Sequence, residues 1–258
     1  MTRARILWEA GASADPRLLN EGCLPWLEAV LRRDQRRLTD ALQRSDEALA
    51  LDNGDLRSKI LVSKAIILKD LGNPDRSMEV LEQAAPLIDG SREPRLALGL
   101  RFNLVADMCD LGKVEAAQSC MAGVRQLAED LGEQLDLARV AWLQGKIAAA
   151  SGRLAEAGTA FDLVRQQFLR EELVYDYALA SLDRALVLLN LGQTTDVRRL
   201  AEEVLGIFKI QGVQREALAA LEVLCEAARR EAVTVHLIQR VSAFLLRAQQ
   251  NPHARFEK

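Results

Sequence analysis

The sequence predicts an all-α fold, a right-handed α-solenoid of about six antiparallel helix pairs, and three observations carry that prediction. Glycines stand 40 residues apart at Gly72, Gly112, Gly152 and Gly192. A second turn signal falls between them at the same interval, with Gly132 and Gly212 on either side of Glu172. Between turns, apolar residues recur at i, i+3, i+4 and i+7, the spacing that lines one face of an α-helix. A repeat of this length buries its apolar face only by stacking on its neighbours, so the period implies an array.

In chain order, the first pair is predicted over 16–33 and 34–51, where Ala29, Ala41 and Ala48 occupy small-residue positions at a 36-residue offset. The second covers 58–71 and 74–88, with Pro74 in a first turn, where its missing N–H costs nothing. Pro94 starts the next helix after Asp89-Gly90-Ser91. Shifting by 40 then lays 97–110 over 137–150, 177–190 and 217–230, the first helices of four pairs. Their second helices are predicted over 114–131, 154–169, 195–210 and 233–249. The units are 16–53, 57–92, 95–132, 136–171, 175–212 and 215–250 of one domain spanning 1–258, with tails at 1–14 and 251–258 and no internal linker.

Composition narrows the function classes. The chain is 49% hydrophobic and 4% aromatic, as a helical core built from Ala and Leu requires, and its net charge is −3 with both signs interleaved. Phosphate binding by counterion release needs a basic stripe, and none is present, so nucleic-acid contact by this segment is not expected. The cluster Arg32-Arg33-Asp34-Gln35-Arg36-Arg37 reads as a solvated turn with pairing along the helix. Cys23, Cys109, Cys120 and Cys225 lie far apart without a C-x-x-C pair and read as free packing thiols. Glu9 and the lack of an apolar run before Pro16 argue against a secretory leader. No stretch approaches the roughly 18 apolar residues of a membrane span. A cytoplasmic protein is the expectation.

The small residues at helix crossings, the inner-turn glycine and a large residue in the second helix resemble the tetratricopeptide repeat. The fit is best at Gly145, Gly152, Ala157, Phe161 and Val164, with partial matches at Ala65, Gly72, Leu81 and Ala84 and at Ala185, Gly192, Val197 and Val204. The close of the first pair, Ala48-Leu49-Ala50-Leu51-Asp52-Asn53-Gly54, resembles the end of such a repeat. The units exceed the family's usual 34 residues, and longer units look like the sensor arrays of bacterial transcription regulators and signal-transducing ATPases. The resemblance implies non-catalytic protein or peptide binding, as an adaptor or scaffold, in a concave groove lined by first helices. By that analogy the groove carries Phe102, Asn103, Arg139, Trp142 and Lys146, which would offer rings, an amide and two cations to an extended peptide. The alternative is a sensor and dimerisation module of a bacterial regulator whose output domain lies outside this chain.

Enzyme chemistry finds little material. The two histidines, His236 and His253, form no H-E-x-x-H pair, and no G-x-G-x-x-G or G-x-x-x-x-G-K occurs. Glu171-Glu172 and Glu202-Glu203 are adjacent on helices and diverge by about 100°, so they read as solvated faces. No metal, cofactor or catalytic residue is assigned. The last helix carries more apolar surface than one stripe holds, and Val241, Phe244 and Leu245 are candidates for self-association as a homodimer, since a terminal repeat lacks a neighbour.

Overall fold

The structure, a computed structural model, describes residues 20–35, 37–211, 215–229, 232–250 and 254–256. Every regular element among them is a helix. In order these are α1 (Cys23–Asp34), α2 (Leu38–Leu51), α3 (Arg57–Asp70), α4 (Pro74–Ala84) with a 3₁₀ turn at Ala85–Leu87, α5 (Pro94–Asp110), α6 (Val114–Leu131), α7 (Gln134–Ala150), α8 (Leu154–Arg170), α9 (Val174–Asn190), α10 (Thr194–Ile210), α11 (Arg215–Arg229) and α12 (Val235–Gln250). The chain divides into two compact units, Met1–Lys113 and Val114–Lys258, where the sequence read one array; the division falls inside the unit expected at 95–132.

The inner turns share one local geometry. At Gly152 the backbone is left-handed, φ +76°, which a residue without Cβ adopts freely. The Arg153 N–H then reaches back to the Ala148 carbonyl at 2.9 Å, closing the helix end. The same bond recurs from Asn73 to Leu68, Lys113 to Met108 and Gln193 to Leu188, in steps of 40. Glu172 adopts φ +57° as a non-glycine, and Leu173 completes the matching bond to Phe168. Gly212, the remaining turn signal, lies outside the described residues.

Some expected boundaries shift. Asp34 ends α1 instead of opening α2 and pairs with Arg33 at 2.8 Å. The second helix of the next pair stops at Ala84, not at 88, because Pro86 lacks the N–H that a continuing helix would use and its ring crowds the preceding turn. Helices α7 and α9 begin one turn before the expected starts at Leu137 and Tyr177.

In the first unit α1 to α5 pack in succession, each against the next. Helix α3 lies between α2 and α4 and is apolar nearly all round, burying Ile60, Leu61, Val62, Ala65, Ile67 and Leu68. Asp107, 0% exposed on α5, ties three helices together. Its Oδ2 accepts from Ser77 Oγ of α4 at 2.6 Å, and Lys69 Nζ of α3 lies 3.1 Å from Oδ1 as an ion-pair partner.

In the second unit α6 to α12 pack in succession, and α9 is the most deeply buried. Gly145 of α7 lets α8 approach closely, as its place at the expected crossing point requires. A Cβ there would lie 2.7 Å from Phe161 Cε1 and 3.2 Å from Ala160 Cβ. Gly145→Leu is therefore expected to destabilise this unit by about 1–3 kcal/mol through overpacking, and Phe161→Leu should recover part of that loss in urea unfolding of the double variant. If the glycine variant alone is unchanged, the close crossing is not what glycine serves.

Helix α12 departs from nearest-neighbour stacking: it packs on α9 as well as on α11. Val241, Phe244 and Leu245 are each 0% exposed in the same core cluster as Tyr177 and Leu221. The surface assigned to self-association is thus inside the chain, because α9 supplies the apolar cover that a second copy was expected to give. Within the expected 251–258 tail, Phe256 folds back edge-on to Phe244, with ring centroids 5.1 Å apart.

Candidate functional site

Arg139, Trp142 and Lys146 stand at i, i+3 and i+7 on α7 and so share one face. The Trp142 ring lies half-buried, edge-on to Phe168 with centroids 5.5 Å apart, and its indole N–H donates to Asp183 Oδ2 of α9 at 2.6 Å. Lys146 Nζ sits 5.0 Å from the centre of the same ring and 3.7 Å from the same carboxylate oxygen. One Asp183 oxygen therefore receives an indole and faces an ammonium. Beside this cluster opens a pocket of about 290 Å³ whose lining includes Lys146, Asp183, Leu186, Asn190 and Val235.

Seven residues back along each helix lies a second charged cluster. Arg139 is half-exposed, 4.0 Å from Asp136, and its positive charge reaches Asp176 of α9. Burial pushes the Asp176 carboxyl above the usual carboxylate range, opposed by Arg139 and by Gln249 of α12, whose Nε2 donates to Oδ2 at 3.2 Å.

Of the five groove residues expected from the sequence, the structure brings three onto α7. Phe102 and Asn103 stand half-buried on α5, in the first unit. Asn103 Nδ2 donates to the Gly99 carbonyl of its own helix at 2.8 Å, which uses part of the amide's capacity. The bond from Trp142 to Asp183 was not foreseen from the sequence, and neither was the place of Asp176. The only hint of that bond was their separation, about one repeat.

Other expected features resolve as structure. Glu203 is not a merely solvated acid: it accepts from the Tyr177 hydroxyl at 2.6 Å and pairs with Arg165 at 3.1 Å. Burial and that bond push the Tyr177 phenol up to about 12, so it stays a neutral donor. Glu202 pairs with Arg229 at 3.3 Å, and Glu171 accepts from Gln167 at 2.9 Å. Arg37 pairs with Asp40, in keeping with a solvated turn; Arg36 lies outside the described residues. None of the four cysteines forms a disulfide; Cys120 is exposed, whereas Cys225 is buried and its thiol is pushed up to about 11 by that burial. Among the described residues no three His, Cys, Asp or Glu side chains gather as metal ligands, and no helix is long and apolar enough to cross a membrane. His253 lies outside the described residues, and His236 is exposed on α12.

No family model matches the sequence, and no curated protein matches it. Among solved structures the chain is similar to a Rap protein crystallised in complex with competence and sporulation factor. The TM-score is 0.73 at 14% identity, over 90% of this chain and 66% of that one. This chain thus spans just under two thirds of that protein, and the likeness shows a helical-repeat fold of the tetratricopeptide type.

Proposed function

We propose that this chain is a non-catalytic binding module that takes a protein or peptide segment on the first-helix face of its second unit, over Arg139, Trp142, Lys146 and Asp183. The observation that carries this reading is the cluster of Trp142, Lys146 and Asp183 beside an open pocket. It offers an aromatic surface, a half-exposed ammonium and a carboxylate in fixed geometry, the mixture that grips a peptide backbone and its side chains. Support from outside the chain is the Rap protein of the same fold, which holds competence and sporulation factor. Phe102 and Asn103 offer a smaller patch of the same kind on the first unit.

The test separates binding from folding. Trp142 packs into the core, so its removal would confound the two, whereas Lys146 is half-exposed and its ion pair is worth little to stability, well under about 1 kcal/mol. Displayed random peptides would be selected on the immobilised chain and the enriched sequences titrated by fluorescence anisotropy. Lys146→Glu should lower their affinity about tenfold or more, a loss of about 1.4 kcal/mol, with an unchanged urea midpoint. Peptides that bind the variant as tightly as the parent chain would place the site elsewhere, and a selection that enriches nothing would count against peptide recognition.

A further inference from the structure

The 40-residue repeat places two corresponding niches in the second unit. The later one, about 370 Å³, lies among α8, α9 and α10 and is built around Arg165. That guanidinium is satisfied from within the chain. Its Nε donates to Ser181 Oγ at 2.7 Å, Nη1 to Asp162 at 3.2 Å, and Nη2 to the Tyr177 hydroxyl and the Glu203 carboxylate, each at 3.1 Å. The earlier niche, about 510 Å³, lies among α6, α7 and α8. Arg125 stands in it, 40 residues before Arg165, and every one of the four partners is replaced. Where the later niche has Asp162, Tyr177, Ser181 and Glu203, the earlier has Ala122, Leu137, Ala141 and Leu163. Arg125 is accordingly exposed and has no hydrogen-bond or ion-pair partner among the described residues. Leu163, in the place of the acid, is 62% exposed. The α7 residues of this niche, Ala141, Gln144 and Ile147, fall across the helix from Arg139, Trp142 and Lys146, so the niche is separate from the groove.

We propose that the earlier niche is a binding site for a small organic carboxylate with an apolar body. The ligand's carboxylate takes the place beside Arg125 that Glu203 takes beside Arg165, and its body lies over Ala141 and Leu163. A guanidinium presents its N–H donors as a planar fork that matches a carboxylate, and such charge-assisted bonds are stronger than neutral ones. The other charged groups of the lining, Arg153 and Glu156, pair with each other at 2.8 Å, and Arg153 also donates to Gln118 at 2.8 Å. Arg125 is therefore the cation of this niche left for a ligand. The apolar body follows from the same replacements, because each polar group lost around the arginine leaves apolar surface in its place. Covering Leu163 removes that surface from water, which an inorganic anion on Arg125 does not do. The volume falls within the range of about 300–1,000 Å³ in which small molecules are held, and an apolar lining with a few polar groups is the usual character of such sites. The site does not rest on peptide binding in the groove, which lies on the other side of α7.

The experiment titrates the full, methyl-labelled chain with hexanoate, octanoate and decanoate and follows the methyl resonances of Met121, Ile147 and Leu163 by NMR. Saturable shifts are expected there, with Leu186 and Val235 beside the groove unmoved. Octanol and inorganic phosphate, which each make only one of the two contacts, should bind about tenfold or more weakly than octanoate. Arg125→Gln should lower octanoate affinity about tenfold or more. Leu163→Glu should block octanoate by supplying the internal acid that Glu203 supplies one repeat later, whereas Leu163→Gln, polar but uncharged, should weaken binding less. Both positions are exposed, so an unchanged urea midpoint should accompany each variant. Octanol binding as tightly as octanoate, parental affinity in Arg125→Gln or Leu163→Glu, or no saturable shift with any of the three acids would each overturn the carboxylate site. Failure of the peptide selection with these titrations as expected would reject the groove reading and leave this site standing.

Discussion

Phe168→Ala is expected to cost the second unit about 3–5 kcal/mol, the range for removing a buried phenylalanine when its surroundings only partly collapse. Phe168 is 0% exposed on α8, in the core cluster shared with Tyr177 and Phe208, and its ring supports the edge of Trp142. The loss should therefore reach the groove: Trp142 would keep its bond to Asp183 but lose the surface that sets its ring plane. Urea unfolding followed by circular dichroism reads the stability, and hydrogen exchange should place the lost protection in α7 to α10. Comparison with Lys146→Glu is informative, since that variant should lose binding without losing stability, whereas Phe168→Ala should lose both. A Phe168→Ala chain with a parental midpoint would mean that α8 does not depend on this contact.

Asp107→Ala should destabilise the first unit by about 2–3 kcal/mol. The substitution leaves the buried Ser77 hydroxyl without its acceptor and takes from Lys69 the buried one of its two carboxylates, the other being Asp110 at 3.3 Å. Asp107→Asn should cost less at neutral pH, because the amide oxygen still accepts from Ser77 and the variant carries no buried charge. Burial holds the Asp107 carboxyl above its ordinary value, although Ser77 and Lys69 pull the other way. The folded state therefore binds this proton more tightly than the unfolded chain does. The stability so gained is fully present below the ordinary carboxylate pKa and is lost as pH rises through the folded value. The deficit of Asp107→Asn relative to the parent chain should accordingly grow on acidification, and denaturant midpoints measured from neutral to acid pH test it. A deficit that shrinks toward acid would show Asp107 to be stabilised as the anion.

Much of the helical order was legible in the residues because its causes are local. Glycines placed 40 apart impose left-handed turns wherever they fall, and the bonds Asn73 to Leu68 and Arg153 to Ala148 repeat at that interval. Gly145 marked a close crossing before Phe161 was seen against it. The groove was partly legible, since the i, i+3, i+7 spacing of Arg139, Trp142 and Lys146 dictates a common face on any helix. Their partners were not. Trp142 bonds a residue 41 positions later, and nothing in the local pattern distinguishes Asp183 from the other acids of α9 and α10.

Backbone handedness and apolar periodicity act within a few residues, so the order of residues is enough to dictate a series of helices joined by short turns with a 40-residue repeat. Tertiary structure alone decided where the chain divides, that Phe102 and Asn103 stand on a different unit from Arg139, Trp142 and Lys146, and that α12 is covered by α9 instead of by a second copy. The reason is that repeats present nearly the same apolar stripe. Such a stripe specifies that a helix must be covered, but the helix that covers it is chosen by side-chain fit and polar pairing between residues far apart in the chain, here Phe244 within the α9 core and Gln249 on Asp176.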